Sequence, residues 1–508
     1  MHPLRTLLLT GASLVAFAAT ISSAAAVDLD KIDTVVVIYA ENRSFDNIYG
    51  KFPGARGLQE VTPQAARQVD RDGKPLAELP AIWEGLTAKG VTPVVTQAKT
   101  EHLPNAPFAI DDPKGFDTAD SVITRDLWHR FYEEQMQIDG GRNDKFAAFA
   151  DSGGLVMGNY AHAQQQLWDV AKEYTLADNF FQGAFGGSFL NHFELICACI
   201  PRYPDADNSP AKGLISKVEP DGVTLTPAAN APGSAMDGPP KFANSSNLTP
   251  DFYAVNTMQP PYQPSGNPPT EQSGPAYADP SVATTLPPQH DVTIGDLLSA
   301  KGVDWAWYAG AWQAALDGKN AKPVPNFQYH HQPFNYFAQF APGTPARAAH
   351  LRDGGMNGTA FIADIDAGKL PAVTFYKPQG NLNQHAGYAS VAAGDAHIAD
   401  VIAHLQKSPQ WGHMLVVLTY DENGGFWDHV TPPQADRWGP GSRIPALIVS
   451  PFARKGFVDH TQYDTTSILR FITERWNLPV LPGLIERDKA LAAHHQPPMG
   501  DLSGALDL

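Results

Sequence analysis

Two stretches far apart in the sequence share one chemical design. Val35-Val36-Val37-Ile38-Tyr39-Ala40 stops abruptly at Glu41-Asn42, and Met414-Leu415-Val416-Val417-Leu418-Thr419-Tyr420 stops at Asp421-Glu422-Asn423-Gly424-Gly425. Hard oxygen ligands grouped in this way suit a divalent cation. Glu41 and Asn42 could instead cap a helix starting near Ser44, but capping explains one such ending better than two. A third segment, Gly186-Gly187-Ser188-Phe189-Leu190-Asn191-His192, runs glycines into a serine that opens an apolar helix. That puts a hydroxyl at a helix N-terminus, where free amides and the dipole favour an anion. The plainer alternative is that Ser188 serves only as an N-cap.

These parts suit metal-assisted phosphoryl transfer. Glu41, Asn42, Asp421 and Glu422 would hold one divalent ion, and the Ser188 hydroxyl would join it and become a usable nucleophile near neutral pH. All-oxygen ligation favours Ca²⁺, Mg²⁺ or Mn²⁺ over Zn²⁺. Among 17 histidines, His129, His330, His331 and His385 are the candidates to neutralise a phosphate and protonate a leaving alcohol. The pair His330-His331 lies in an aromatic-flanked loop. His129 falls on a strip of an expected helix from Asp126 to Met136, where a structural role competes. Asp428-His429 follows the Gly-Gly turn and can either orient ligands or touch them. If the histidines work as cations, the activity is expected to peak below neutral pH.

Doubly buried strands are needed to place these groups. The runs before Glu41 and Asp421 are apolar on both faces, as in a parallel sheet covered by helices, and the carboxyl ends of such strands are where ligands gather. Further strands are expected at Thr175-Leu-Ala-Asp, Trp305–Tyr308, Pro371–Tyr376 and Ile444–Ser450, and helices at 164–174, 293–300, 392–406 and 466–476. The alternation predicts an α/β fold, doubly wound and mostly parallel, with helices on both faces. Residues 51–118 read as an irregular insertion, and 203–290, rich in Pro, Gly, Asn and Ser, as an excursion or lid.

The remaining bounds are compositional. At 508 residues the chain can bury a deep core. Arg5, the apolar run from Leu7 to Ala19 and the following small residues have the layout of a secretory signal peptide cleaved after Ala26, so a periplasmic or secreted protein with no transmembrane segment is expected, its functional domain spanning 27–508. The net charge of −17 argues against nucleic acid as a partner and leaves a small phosphorylated substrate. Cys197 and Cys199, one residue apart in an expected helix, read as buried thiols, because a helix points them to opposite sides.

Ala40-Glu41-Asn42-Arg43-Ser44-Phe45-Asp46, with Tyr420-Asp421-Glu422-Asn423-Gly424-Gly425-Phe426-Trp427-Asp428-His429-Val430-Thr431-Pro432-Pro433, resembles the bacterial phosphoesterase family that holds phosphatidylcholine-type phospholipases C and secreted acid phosphatases. The likeness runs from about Asp33 to about Trp476 and implies an alkaline-phosphatase-like fold. It also implies that Ser188 is the nucleophile and that Glu41, Asn42, Asp421 and Glu422 form the metal shell, with His129, His330, His331 and His385 near the phosphate. The phospholipase branch carries a threonine in a Gly-Pro-Thr-type turn, whereas Gly-Gly-Ser188 is similar to the acid phosphatase branch. The resemblance therefore favours an exported acid phosphatase working through a phosphoserine. A phospholipase C acting on phosphocholine diesters comes next, with Trp305, Trp307, Tyr308 and Trp312 as a candidate aromatic cage. A non-catalytic phosphate-binding protein is the third reading.

Overall fold

The protein was described from a computed structural model covering residues 28–161, 165–244 and 246–508. The expected signal peptide and its cleavage point lie outside the described residues. Among the described residues, no helix is long and apolar enough to cross a membrane.

A nine-stranded sheet forms the centre. Its strands are β1 (Thr34–Ala40), β2 (Thr175–Phe181), β3 (Trp305–Gly310), β4 (Leu351–Gly355), β5 (Val373–Lys377), β6 (Met414–Tyr420), β7 (Arg443–Val449), β8 (Phe457–Asp459) and β9 (Tyr463–Asp464). The order across the sheet is β8-β2-β7-β6-β1-β5-β3-β4, with β9 also paired to β2. β1, β5, β6 and β7 are buried at every position. Strands covered on both faces need no polar alternation, which is why their sequences are continuous apolar runs.

Every pairing is parallel except those of β7, which runs antiparallel to both β2 and β6. The expected strand is therefore present but reversed in direction. Burial on both faces looks the same in either direction, so composition could not reveal this. The reversal brings Arg443, the first residue of β7, to the end of the sheet where β1 and β6 finish.

Helices α1 (Phe131–Ile138), α2 (Gln166–Glu173), α3 (Ser188–Cys197), α4 (Val391–Lys407) and α5 (Thr465–Arg475) account for most of the expected helical pattern. Helix α1 starts later than expected, and His129 lies in extended chain ahead of it. The reason is local: the Asp151 carboxylate takes the Trp128 amide and Asp126 takes the Leu127 amide. Side-chain acceptors thus satisfy donors that a helix would have used. Residues 203–290 contain short 3₁₀ turns joined by isolated bridges.

Cys197 and Cys199 form a disulfide, which corrects the reading of two free thiols. The expectation assumed a continuing helix. α3 ends at Cys197, and Ala198 adopts a left-handed conformation (φ 46°). That turn brings the two Cα atoms to 5.0 Å, inside the range a disulfide spans.

Candidate active site

Strand register assembles the site. Ala40 pairs with Tyr420 across β1 and β6, so Glu41 and Asp421 leave the sheet side by side. The two loops then interlock. Asp421 Oδ1 accepts the Asn42 amide at 3.0 Å, and the Arg43 amide donates to the Glu422 carbonyl at 3.0 Å. Gly424 sits at φ 65°, and a Cβ there would lie 2.3 Å from the Asn42 carbonyl oxygen. Glycine is required by both conformation and space. The short helix after Asn42 is capped by Ser44, whose Oγ accepts the Asn47 amide. Capping is thereby removed as the job of Glu41 and Asn42.

Ser188 is the first helical residue of α3, and Gly187 takes the N-cap position. Its hydroxyl is not spent on capping. It donates to Asn42 Oδ1 at 3.3 Å, and Asn42 Nδ2 in turn donates to His129 Nε2 at 3.3 Å. His129 Nδ1 lies 2.6 Å from the Leu127 carbonyl. A carbonyl can only accept, so Nδ1 carries the proton and Nε2 presents its lone pair to the site. The same reasoning fixes His385 against the Ala386 carbonyl and His192 against the Ser188 carbonyl. Gly187 permits the approach: a Cβ there would meet the His129 carbonyl at 2.7 Å.

The three carboxylates are fully buried. Glu41 Oε2 accepts hydrogen bonds from Asn383 Nδ2 and Tyr388 Oη, each at 2.8 Å. Glu41 Oε1 contacts His331 Nε2 and lies 2.9 Å from Lys377 Nζ. Asp421 Oδ2 and Glu422 Oε1 have no hydrogen-bond partner. Lys377 is the only lysine or arginine within ion-pair distance of this cluster among the described residues. Three carboxylates facing one ammonium leave a deficit that a divalent cation would close. Without one, burial and the neighbouring Asp421 push the Glu422 carboxyl well above its ordinary value, and burial pushes Asp421 up to about 7. The residues therefore fit a divalent ion.

The donor set is broader than the all-oxygen group expected. Glu41, His192 and Asp421 present ligand atoms within 4.8 Å of one another, as do Glu41, His330 and His331. Imidazole nitrogens so placed weaken the argument for Ca²⁺ or Mg²⁺ over transition metals.

A cavity of about 510 Å³ opens over Ser188. His129, His330, His385 and Tyr388 line it, with Arg130 and Lys322, and Ser246 and Asn256 reach it from the 203–290 excursion. His331 is turned away, fully buried against Glu41. Burial pushes His129 down to about 4 and lowers His330, His331 and His385. Burial thus disfavours the imidazolium form of these histidines in the substrate-free site. Trp305 and Trp307 are core residues, Trp307 stacking on Phe375. With Tyr308 and Trp312 also buried, the expected cage does not face the cavity.

Sequence reasoning missed Lys377, His192, Tyr388 and Asn383. The strand reading around Val373 stopped at Tyr376, one residue short of Lys377. His192 was hidden inside an apolar helix, although its spacing of four from Ser188 sets both on one face.

His429 does not touch the cluster; it ties down the loop that carries Asp421 and Glu422. Its Nδ1 lies 2.6 Å from Asp46 Oδ2, and Asp46 and Asp428 both pair with Arg443. Burial opposes charge on His429, but the hydrogen bond and charge of Asp46 outweigh it and raise the imidazole above its ordinary value. A raised histidine contributes stability below about pH 6.5 and loses it as pH rises through the folded value. Asp428, pushed up to about 6 by burial, acts in the same direction at lower pH. The melting temperature is expected to fall as pH rises above about 6.5, and this slope should flatten in His429→Gln. An equal slope in both proteins would contradict the assignment.

Comparison with known proteins places the chain in a family. The model of the Phosphoesterase family matches residues 32–479. Phospholipase C B of Mycobacterium tuberculosis is 23% identical over 493 residues, covering 89% of this chain and 74% of its own. The non-hemolytic phospholipase C of Pseudomonas aeruginosa is 23% identical over 485 residues, covering 89% of this chain and 55% of its own. A solved structure of a protein in the alkaline phosphatase superfamily from Vibrio parahaemolyticus aligns at 11% identity with a TM-score of 0.31, over 66% of this chain and 65% of that one. With nearly the whole described chain matched by the family model, this protein belongs to the Phosphoesterase family and is a phosphoric ester hydrolase.

Proposed function

We propose that the protein cleaves phosphodiesters in the manner of a phospholipase C, with Ser188 as the nucleophile. The observation that carries the catalytic reading is the Ser188 hydroxyl. It is free of capping, opens onto the cavity and hydrogen-bonds to Asn42 beside three buried carboxylates. The diester preference is supported by the phospholipases C to which the chain is similar. This reverses the order of the two activities expected from the Gly-Gly-Ser188 turn.

Ser188 Oγ attacks phosphorus, its proton passes to the Asp421 carboxylate that faces the hydroxyl, and the bond to the alcohol breaks with its electron pair on the departing oxygen. A histidine lining the cavity, once protonated with substrate in place, returns a proton to that oxygen. Water then cleaves the phosphoserine. Glu41, Asn42, Asp421 and Glu422 would hold a divalent ion, which when bound would supply Lewis-acid polarisation and lower the pKa of the hydroxyl. The first amides of α3 bind the phosphoryl oxygens.

A monoester phosphatase is the second reading, and the cavity supports it. Arg130 and Lys322 are among its lining residues, and cations there favour a phosphate dianion and disfavour a quaternary ammonium. Rates on a phosphocholine diester and on the corresponding monoester separate the two. A diester kcat/KM at least about tenfold higher supports the phospholipase reading, and the opposite ratio replaces it with the phosphatase. An exported location is supported by the N-terminal apolar run and by the Cys197–Cys199 disulfide, since disulfides persist in oxidising compartments.

A further inference from the structure

Lys377 is the last residue of β5, which pairs with β1 on the side opposite β6. Its side chain is fully buried and reaches past β1. The ammonium lies 2.9 Å from Glu41 Oε1, 3.7 Å from Asp421 Oδ2 and 3.5 Å from the Ala40 carbonyl oxygen. The Tyr39 ring stands 5.1 Å away. The group therefore touches carboxylates from both strand tips at once, and water has no access to it.

A position between two carboxylates of this kind is one that a metal ion takes in sites where two ions lie about 3.5–4 Å apart. The surroundings are those of a coordination set. Glu41, His192 and Asp421 bring ligand atoms within 4.8 Å of one another, and the ammonium contacts two of the three. His192 Nε2 is fully buried and has no hydrogen-bond partner. Glu422 Oε1 and Asn42 lie toward His129 and Ser188, on the side where the nucleophile is.

We propose that Lys377 is a resident cation standing in place of a second metal ion, so that the site takes up a single divalent ion per chain. The inference rests on the metal-assisted reading of the site. Charge supports it: the three carboxylates need two positive charges beyond the ammonium, which one divalent ion provides. Removing the ammonium raises the deficit to three and uncovers the Glu41-His192-Asp421 set. Lys377 is accordingly a positioning residue that holds Glu41 and Asp421 in their relative places.

The test is metal stoichiometry with Mn²⁺ as the probe. Wild type, Lys377→Ala and Lys377→Arg are stripped with chelator, dialysed against Mn²⁺ and assayed for bound metal by mass spectrometry, with melting temperatures taken in chelator and in Mn²⁺. One ion is expected in wild type and in Lys377→Arg, and two in Lys377→Ala. The alanine variant should also melt lower than wild type in chelator and gain more from Mn²⁺. If it is insoluble in chelator, recovery on adding Mn²⁺ supports the proposal and failure to recover overturns it. One ion in both wild type and Lys377→Ala, or two in Lys377→Arg, also overturns it. Wild type that binds no Mn²⁺ would instead sink the metal-assisted reading itself, which keeps the two failures apart.

Discussion

Ser188→Ala is expected to lower kcat by at least about a thousandfold while leaving the fold intact, because removing an activated nucleophile leaves only the binding and electrostatic contributions of the site. The side chain is nearly buried, donates to Asn42 Oδ1 at 3.3 Å and faces the Asp421 carboxylate. Its loss costs little stability, because alanine is a good helix former and the N-cap is Gly187. Binding of inorganic phosphate should survive, since the helix amides and the cavity cations stay in place. The discriminating control is Asn42→Ala. It removes the acceptor of the Ser188 hydrogen bond and the donor to His129 together, and is expected to lower kcat without abolishing it. Turnover of Ser188→Ala within about tenfold of wild type would remove the serine from the mechanism.

What the sequence disclosed followed from burial. β1 and β6 are closed in on both faces, so their residues are uniformly apolar and the sudden carboxylates at Glu41 and Asp421 stand out. The pairing of Ala40 with Tyr420 then makes their meeting a consequence of register. Ser188 was legible because glycines before an apolar helix leave few local explanations for a hydroxyl. Groups whose position depends on packing between segments were harder to find. His129 reaches the cavity from the chain ahead of α1 because Asp151 and Asp126 take the amides beside it. Lys377 looks like the polar residue that ends any buried strand, and its meaning lies in the reach to Glu41 and Asp421. The direction of β7 could not be read because antiparallel and parallel strands are equally apolar when covered on both faces. The disulfide depended on one left-handed residue, Ala198. His129, His330 and His385 line the cavity as expected while His331 packs against Glu41, and the burial that disfavours their charge cannot be read from the sequence of a loop.

That reversed strand also creates the largest stability effect expected here. Arg443, at the start of β7, is fully buried. Its Nη2 lies 3.1 Å from Asp46 Oδ1 and its Nε 3.0 Å from Asp428 Oδ1, while Nη1 donates to the carbonyls of Arg56 and Asp178 at 2.7 and 2.9 Å. The guanidinium also stacks over Phe45 at 4.2 Å. Two buried carboxylates thus share this cation, with His429 as a second partner of Asp46, and both loops of the site hang from them: Asp46 follows the Glu41-Asn42 tip, and Asp428 follows Asp421-Glu422. Arg443→Met keeps much of the volume and removes the charge, so it is expected to destabilise by about 3–5 kcal/mol, the cost of leaving buried carboxylates unpaired. Lysine cannot reproduce the fork, and Arg443→Lys should recover only part of the loss. If the penalty comes from the stranded charges, adding Asp428→Asn to Arg443→Met should restore stability, giving a coupling of about 0.5–3 kcal/mol in a double-mutant cycle. Denaturant midpoints of the four proteins decide it. Additive losses would mean that Arg443 contributes packing alone, and that the two tips are held together by their backbone hydrogen bonds without help from this ion cluster.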